Sequence, residues 1–397
     1  IRTRAKQTNR DADGRGCRLV EQHSHGAGVP LQIRSERPKS TSVADFAPIT
    51  IRDEQWRYLP VERLKGLDED ALTEYLGDLQ FDGPKSITTE WISKDHPLFG
   101  AAGIPEDRTS AASWESTEAA YLITVPAGPE EHAVLTVNSS DLTPSALHLV
   151  VESKLHAKGT VVIDHRGKGV LAENIEIIVG DESDLTVISI QDWSAGSVHT
   201  SAQFAKLGRN AHLKHVVVSF GGDTVRVTPS VYFDGPGASV DLFGVYFADA
   251  DQHLEHRPFV DHSQPNCTSR VTYKGALQGD KAHTVWVGDV LIRKEAEGTD
   301  TYELNRNLLL TDGARADSVP NLEIETGQIE GAGHASASGR FDDEHLFYLQ
   351  ARGINELEAR RLVVKGFLNE IVQQIGIESI EERLNKSIEE ELKRSVK

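Results

Sequence analysis

The sequence predicts a mainly β fold: a right-handed parallel β-helix flanked by α-helical segments at both ends. Three observations lead there. Short β-branched and aromatic runs separated by Gly, Asp, Asn and Pro fill more than 200 residues, from Ala119 to about Gly327, without a convincing helical interruption. A turn pattern recurs at a nearly fixed period: Gly180-Asp-Glu-Ser183-Asp-Leu185, then Gly208-Arg-Asn-Ala211-His-Leu213 28 residues on, then Gly235-Pro-Gly-Ala238-Ser-Val240 27 further. Such a period marks stacked coils, whose strands lie about 4.8 Å apart, so a small residue at each corner is a steric requirement. Finally, apolar residues change to threes and fours only outside this stretch. A β-sandwich is the alternative architecture.

Residues 1–48 are rich in Arg, Ser, Gly, His and Pro, and nine basic against four acidic residues in 1–40 read as a basic, disordered arm. His23 and His25 on it lack a closed ligand shell and read as solvated. Residues 49–118 form an N-terminal helical region and connector, with Leu64, Leu67, Leu72, Tyr75 and Leu76 spaced to line one helix face. The β-helix occupies 119–335, with strands expected at Tyr121–Val125, Ala133–Val137, Leu147–Val151, Thr160–Ile163, Ile175–Val179, Leu185–Ile190, Leu213–Phe220, Val240–Phe247 and Val285–Ile292. Residues 336–397 form a three-helix end piece. Asp342 or Asp343 caps the first helix and Gly353 ends it; Asn355 with Glu358 opens the second as a capping box. Leu362, Val363, Phe367, Ile371, Val372 and Ile375 line that helix, and Ile377, Ile380, Leu384, Ile388 and Leu392 the third.

Composition restricts function. With 42 Lys+Arg against 61 Asp+Glu, the net charge of −19 argues against nucleic-acid binding. No stretch approaches the roughly 20 apolar residues of a membrane span, and the first residues lack a signal-peptide core, which together with two cysteines points to the cytoplasm. Two cysteines also exclude a four-thiolate zinc site or a cysteine-held cluster within one chain. No nucleophile elbow or phosphate-binding Gly-rich loop occurs, so any ATP chemistry belongs to another protein. The group Asp251, His253, His256, Asp261, His262 and Cys267 has no compact zinc spacing; alternation along strands separates His253 from His256, and Cys267 reads as a buried small hydrophobe. A carbohydrate-active β-helix enzyme would use carboxylates such as Asp234, Asp241, Asp249 and Asp251, a reading opposed by the missing export signal.

The run Ala314-Arg-Ala-Asp317-Ser-Val-Pro320-Asn-Leu-Glu323-Ile-Glu-Thr-Gly327, Gly331-Ala-Gly-His334-Ala and Gly339-Arg-Phe341-Asp342-Asp343-Glu344-His-Leu-Phe347-Tyr348-Leu-Gln-Ala-Arg352-Gly353, continued by Glu358-Ala-Arg-Arg361, resembles the iron-sulfur cluster assembly family of SufB and SufD. His256-Arg-Pro-Phe-Val-Asp261-His, Tyr273-Lys-Gly-Ala-Leu277, Val285-Trp-Val-Gly288, Tyr302-Glu-Leu-Asn-Arg306-Asn and Trp56-Arg-Tyr-Leu-Pro60 are also similar, so the resemblance spans roughly 45–397 and is most specific from 253 onward. It implies a non-enzymatic scaffold, with the β-helices of SufB and SufD paired into a heterodimer and the C-terminal helices bound to SufC, an ABC-type ATPase. Phe341, Asp342, Asp343, Glu344, Phe347, Tyr348, Arg352 and Gly353 would form that ATPase contact. His334 matches the family histidine at the SufB–SufD interface, where it would offer an imidazole to iron or to a transient cluster. SufB-like chains carry a Cys near the position held here by Ala332, which favours the SufD type over a SufB-type cluster carrier. The resemblance further implies no tightly bound cofactor on this chain alone, iron or a transient iron-sulfur cluster at the complex interface, room for a reduced flavin in the complex, and a homodimer as the state open to the isolated chain.

Overall fold

A computed structural model describes residues 37–340 and 343–394. From Pro38 onward the described chain is one unit, a parallel β-solenoid of about eight turns. Successive strands alternate between two sheets. One stacks Pro144–Ser153, Val170–Val179, Val198–Leu207 and Thr224–Phe233, then His253–His256 with Phe259–His262, His283–Ile292 and Arg315–Ile324. The other stacks Glu131–Ser139, Lys158–Gly167, Asp184–Trp193, His212–Ser219, Ser239–Ala248, Thr268–Leu277, Asp300–Leu309 and Gly331–Arg340. These stacked pairings are all parallel. Only the first layers differ, where Asp78–Asp82 and Thr88–Ser93 pair antiparallel with Glu131–Ser139 and Ala119–Val125. The interruption between His256 and Phe259 falls at Arg257-Pro258, because proline has no N–H to give to the ladder.

The repeat read from the sequence is the corner of the coil. Glu182, Asn210 and Gly237, the third residue of each repeat, all have positive φ, of 56°, 52° and 75°. Each turn donates its backbone N–H to the next: Glu182 to Arg209 O, Asn210 to Pro236 O, and Gly237 to Pro265 O, at 2.9–3.1 Å. Glycine adopts that conformation without steric cost, and Asn tolerates it better than most residues. The small residues Ser183, Ala211 and Ala238 are at most 2% exposed, and Cys267 occupies the equivalent corner one coil later. Cys267 is therefore a buried small side chain, as its context predicts.

Inside the coils, alternate side chains pack an apolar core that includes Val161, Ile163, Leu171, Ile175, Val187 and Leu213. Two tyrosines fit there only because glycines face them. A Cβ on Gly244 would collide with the Tyr273 ring, and one on Gly275 with Tyr246, while both rings are fully buried.

The segment 49–118 differs from the helical region that apolar spacing predicts. Residues 53–64 form only the 3₁₀ turns Glu54–Trp56 and Val61–Leu64. Lys65 and Gly66 then take positive φ and end the second turn. Leu64, Leu67 and Leu72 are buried as expected, but against the sheet residues Ala146, Ala172 and Val198, whereas Leu76 is 90% exposed. The regular helix here is α1 (Arg108–Ser116), capped by Asp107, whose carboxylate accepts from Ser110 N at 2.9 Å. Ala111 and Ala112 let it lie close to the same outer sheet face. The arm expected over 1–48 lies mostly outside the described residues; of its described part, Val43 and Phe46 join this packed layer.

Three further α-helices follow the last strand: α2 (Asp343–Gln350), α3 (Glu356–Val372) and α4 (Glu378–Arg394). Asn355 caps α3 as predicted, accepting from Glu358 N at 2.9 Å, and Gly353 turns the chain after α2 with φ of 85°. α3 and α4 cover the outer face of the second sheet, burying Val364, Leu368, Ile371, Leu384 and Ile388 against Val162, Ile188, Val216 and Val245. The buried stripe of α3 is offset from the sequence expectation, leaving Leu362 45% exposed. Arg383 ties α4 down through a bidentate pair with the buried Asp164, at 2.6 and 3.0 Å.

Candidate functional site: the open end of the solenoid

The last coil has no successor. Among the described residues, Arg315–Ile324 pairs only with His283–Ile292, and Gly331–Arg340 only with Asp300–Leu309. Two parallel sheet edges therefore end side by side with unpaired backbone groups. Natural proteins seldom leave such edges uncovered, since they template pairing with another chain.

His334 lies on the second edge strand and is exposed. Its register partner is Glu303 on the preceding coil. Glu303 is 1% exposed and neither carboxylate oxygen has a partner. Burial first, and then the charge of Asp289, push its pKa up to about 8, so it is predominantly protonated at neutral pH. The edge strand thus holds an exposed imidazole in register with a buried, protonated and unsatisfied carboxylic acid on the coil beneath it. Next to them Ser336 Oγ donates to Ser318 Oγ at 2.7 Å, and Ser318 Oγ donates to Asn305 Oδ1 at 2.7 Å.

The second sequence-predicted group divides. Phe341 and Asp342 lie outside the described residues, while Asp343 and Glu344 belong to the first turn of α2. Phe347 is 73% and Tyr348 55% exposed, and the Arg352 guanidinium sits 4.4 Å from the Tyr348 ring centroid in a cation–π contact. This patch is set apart from the apolar faces of α3 and α4, which the sheet already occupies.

The cluster from Asp251 to Cys267 does not converge. His253 accompanies Glu255 and His283 on the outer side, at 3.1 Å from each. His256 and His262 point inward, bonded to Ser219 and Ser269 at 3.0 and 2.9 Å, and burial lowers the pKa of each to about 3. Nor do the candidate glycan-cleaving carboxylates pair with one another. Asp234 faces Lys206, Asp241 faces His212, and Asp251 faces Lys281.

Sequence reasoning missed an interior polar column. Ser201 Oγ donates to Glu173 Oε1 at 2.7 Å, and Gln203 Nε2 donates to both Ser201 and Ser189 at 2.9 and 3.0 Å. Gln191 bonds Ser189 and Ser219, and Ser219 bonds His256. The His256 ring stacks on Tyr246, centroids 4.7 Å apart, and the Tyr246 hydroxyl joins Asn305 and Asn307. Through Asn305 and Ser318 the column reaches Ser336 at the open end. Its signal in the sequence was polar residues at inward positions of otherwise apolar strands, such as Ser189, Gln191 and Glu173.

Stacked coils that end in two unpaired parallel edges define an open-ended parallel β-solenoid. Residues 135–367 match the family model described as the SUF system FeS cluster assembly SufBD core domain, and the chain belongs to the SufBD family of iron-sulfur cluster assembly proteins. An iron-sulfur cluster assembly SufBD family protein of Mycobacterium tuberculosis is 50% identical over 351 residues, covering 86% of this chain and 88% of that one. Its counterpart in Mycobacterium leprae is 49% identical over 353 residues, 86% and 90% of the two chains. The iron-sulfur cluster assembly protein SufD of Escherichia coli is 22% identical over 377 residues, 84% and 87%. No helix among the described residues is long and apolar enough to cross a membrane.

Proposed function

We propose that this chain is a SufD-type, non-catalytic scaffold subunit of a cytoplasmic SUF complex, which pairs with a SufB-type partner at its open end and docks a SufC-type ABC ATPase through α2. The observation that carries the reading is the pair of uncovered edge strands bearing His334. Strand addition by a second β-helix would satisfy both ladders and bring its own ligands beside His334. Neutral imidazole is a competent ligand for iron, so His334 contributes one donor to an iron ion or nascent cluster that passes through the interface as cargo. In the absence of SufB, two copies of this chain can pair by the same edge.

The exposed Phe347, Tyr348 and Arg352 have the aromatic-plus-Arg character of interface anchors. α3 and α4 instead hold the solenoid together, so deleting the whole C-terminal segment would expose a core cluster rather than test docking. The informative experiment is co-purification of the full chain with its SufB-type and SufC-type partners, comparing wild type with Tyr348→Ala/Arg352→Ala and with His334→Ala. The first variant is expected to weaken ATPase binding at least tenfold with unchanged thermal stability. The second is expected to assemble normally but to lose cluster formation. Unchanged ATPase affinity in the first, or full cluster formation in the second, removes the corresponding role.

A further inference from the structure

We propose that His165, Glu173 and His199 form a buried site for one divalent first-row transition-metal ion, held by two imidazole nitrogens and a carboxylate. The three side chains come from the strands Lys158–Gly167, Val170–Val179 and Val198–Leu207, the last two neighbours in one sheet and the first in the other, and none is exposed to solvent. His165 Nε2 is 3.0 Å from Glu173 Oε2, His199 Nε2 is 3.1 Å from Glu173 Oε1, and one ligand atom from each residue lies within 4.8 Å of the others. An ion about 2.1 Å from each donor spans N···O separations of this size.

The hydrogen bonding calls for positive charge between the two rings and the carboxylate. His165 Nδ1 is 2.9 Å from the Ile190 carbonyl, which can only accept, so Nδ1 carries the proton and donates. Nε2 then faces a carboxylate oxygen at 3.0 Å, so either a second proton on the ring or a metal ion must lie between them. Donation of the far ring N–H to a backbone carbonyl is also how proteins orient metal-binding histidines. His199 is fully buried, and apart from the 3.1 Å approach of its Nε2 to Glu173 Oε1 its ring nitrogens have no partner. One ion engages Glu173 and the facing Nε2 of both histidines at once, whereas a single proton shared by His165 and Glu173 engages only one of the two rings.

The donor set excludes the hard cations, which prefer all-oxygen shells, and matches ferrous iron and its first-row neighbours. Trp193 closes the site, its ring 5.6 Å from His165 and 5.4 Å from His199. The polar column leaving Ser201 is the only hydrogen-bonded route from Glu173 toward the open end that the described side chains form, so exchange of the ion should be slow.

The test uses the full chain, refolded with and without cobalt(II) and desalted, with bound cobalt and its visible absorption read per chain. His334→Ala is included to separate this site from the edge histidine. The expected result is one cobalt per chain lost from Glu173→Gln and retained by His334→Ala, with a visible band and a raised thermal midpoint only where cobalt is bound. Should Glu173→Gln fail to fold, His199→Gln serves in its place. Cobalt binding unchanged in the core variant, or absent from refolded wild type, overturns the proposal.

Discussion

Replacing His215 by Leu should make the protein less sensitive to acid. His215 sits on Val187–His215–Leu242, an inward row of the second sheet, where it is 2% exposed and neither ring nitrogen has a partner. Burial alone lowers its pKa from 6.5 to about 4. A folded-state pKa below the unfolded value means that the unfolded chain takes up the proton first, so stability falls as pH drops from about 6.5 to about 4. Between pH 7 and pH 5 that difference amounts to about 2 kcal/mol. His256 and His262 are shifted in the same direction, so each adds a similar loss that the variant retains. Leu fills comparable volume without a proton site. Guanidinium unfolding of wild type and His215→Leu at pH 7 and pH 5 reads the effect directly. The variant should lose about 2 kcal/mol less than wild type between the two conditions. Equal losses would refute the reasoning, because they would mean that water reaches the imidazole in the folded coil.

Gly275→Ala should destabilise by about 1–3 kcal/mol, because the new Cβ enters the space of the Tyr246 ring; combining it with Tyr246→Leu should cost less than the two changes summed, measured by denaturation midpoints. Arg383→Ala leaves Asp164, 1% exposed, with Arg166 as its remaining cation. A loss of roughly 1–3 kcal/mol is expected, together with faster amide exchange confined to residues 378–394.

Local signals were the legible ones. The turn repeat was readable because each corner imposes its own demand, a left-handed residue followed by a small one, whatever the neighbouring coils contain. The cap at Asn355 was readable for the same reason, since it involves only Glu358 three residues on. Strands such as Val198–Leu207, Asp300–Leu309 and Gly331–Arg340 escaped detection because their inward positions carry His, Ser, Gln, Asn and Thr, which blurs the apolar alternation. The helix expected near 53–79 failed because leucines at threes and fours can also be buried by irregular turns laid on a sheet.

By itself the sequence determined the β-solenoid, its period, the helical C-terminus and the family, all carried by short-range periodicity and contiguous motifs. Only the tertiary structure decided which polar residues meet. Stacking in register placed His334 opposite Glu303 and strung Glu173, Gln203, Gln191 and His256 into one interior column. It also brought His165 and His199, from different sheets, onto the two oxygens of Glu173. Their separations along the chain follow from coil length and corner geometry rather than from any ligand spacing, so the triad has no linear signature and exists only once the coils are stacked.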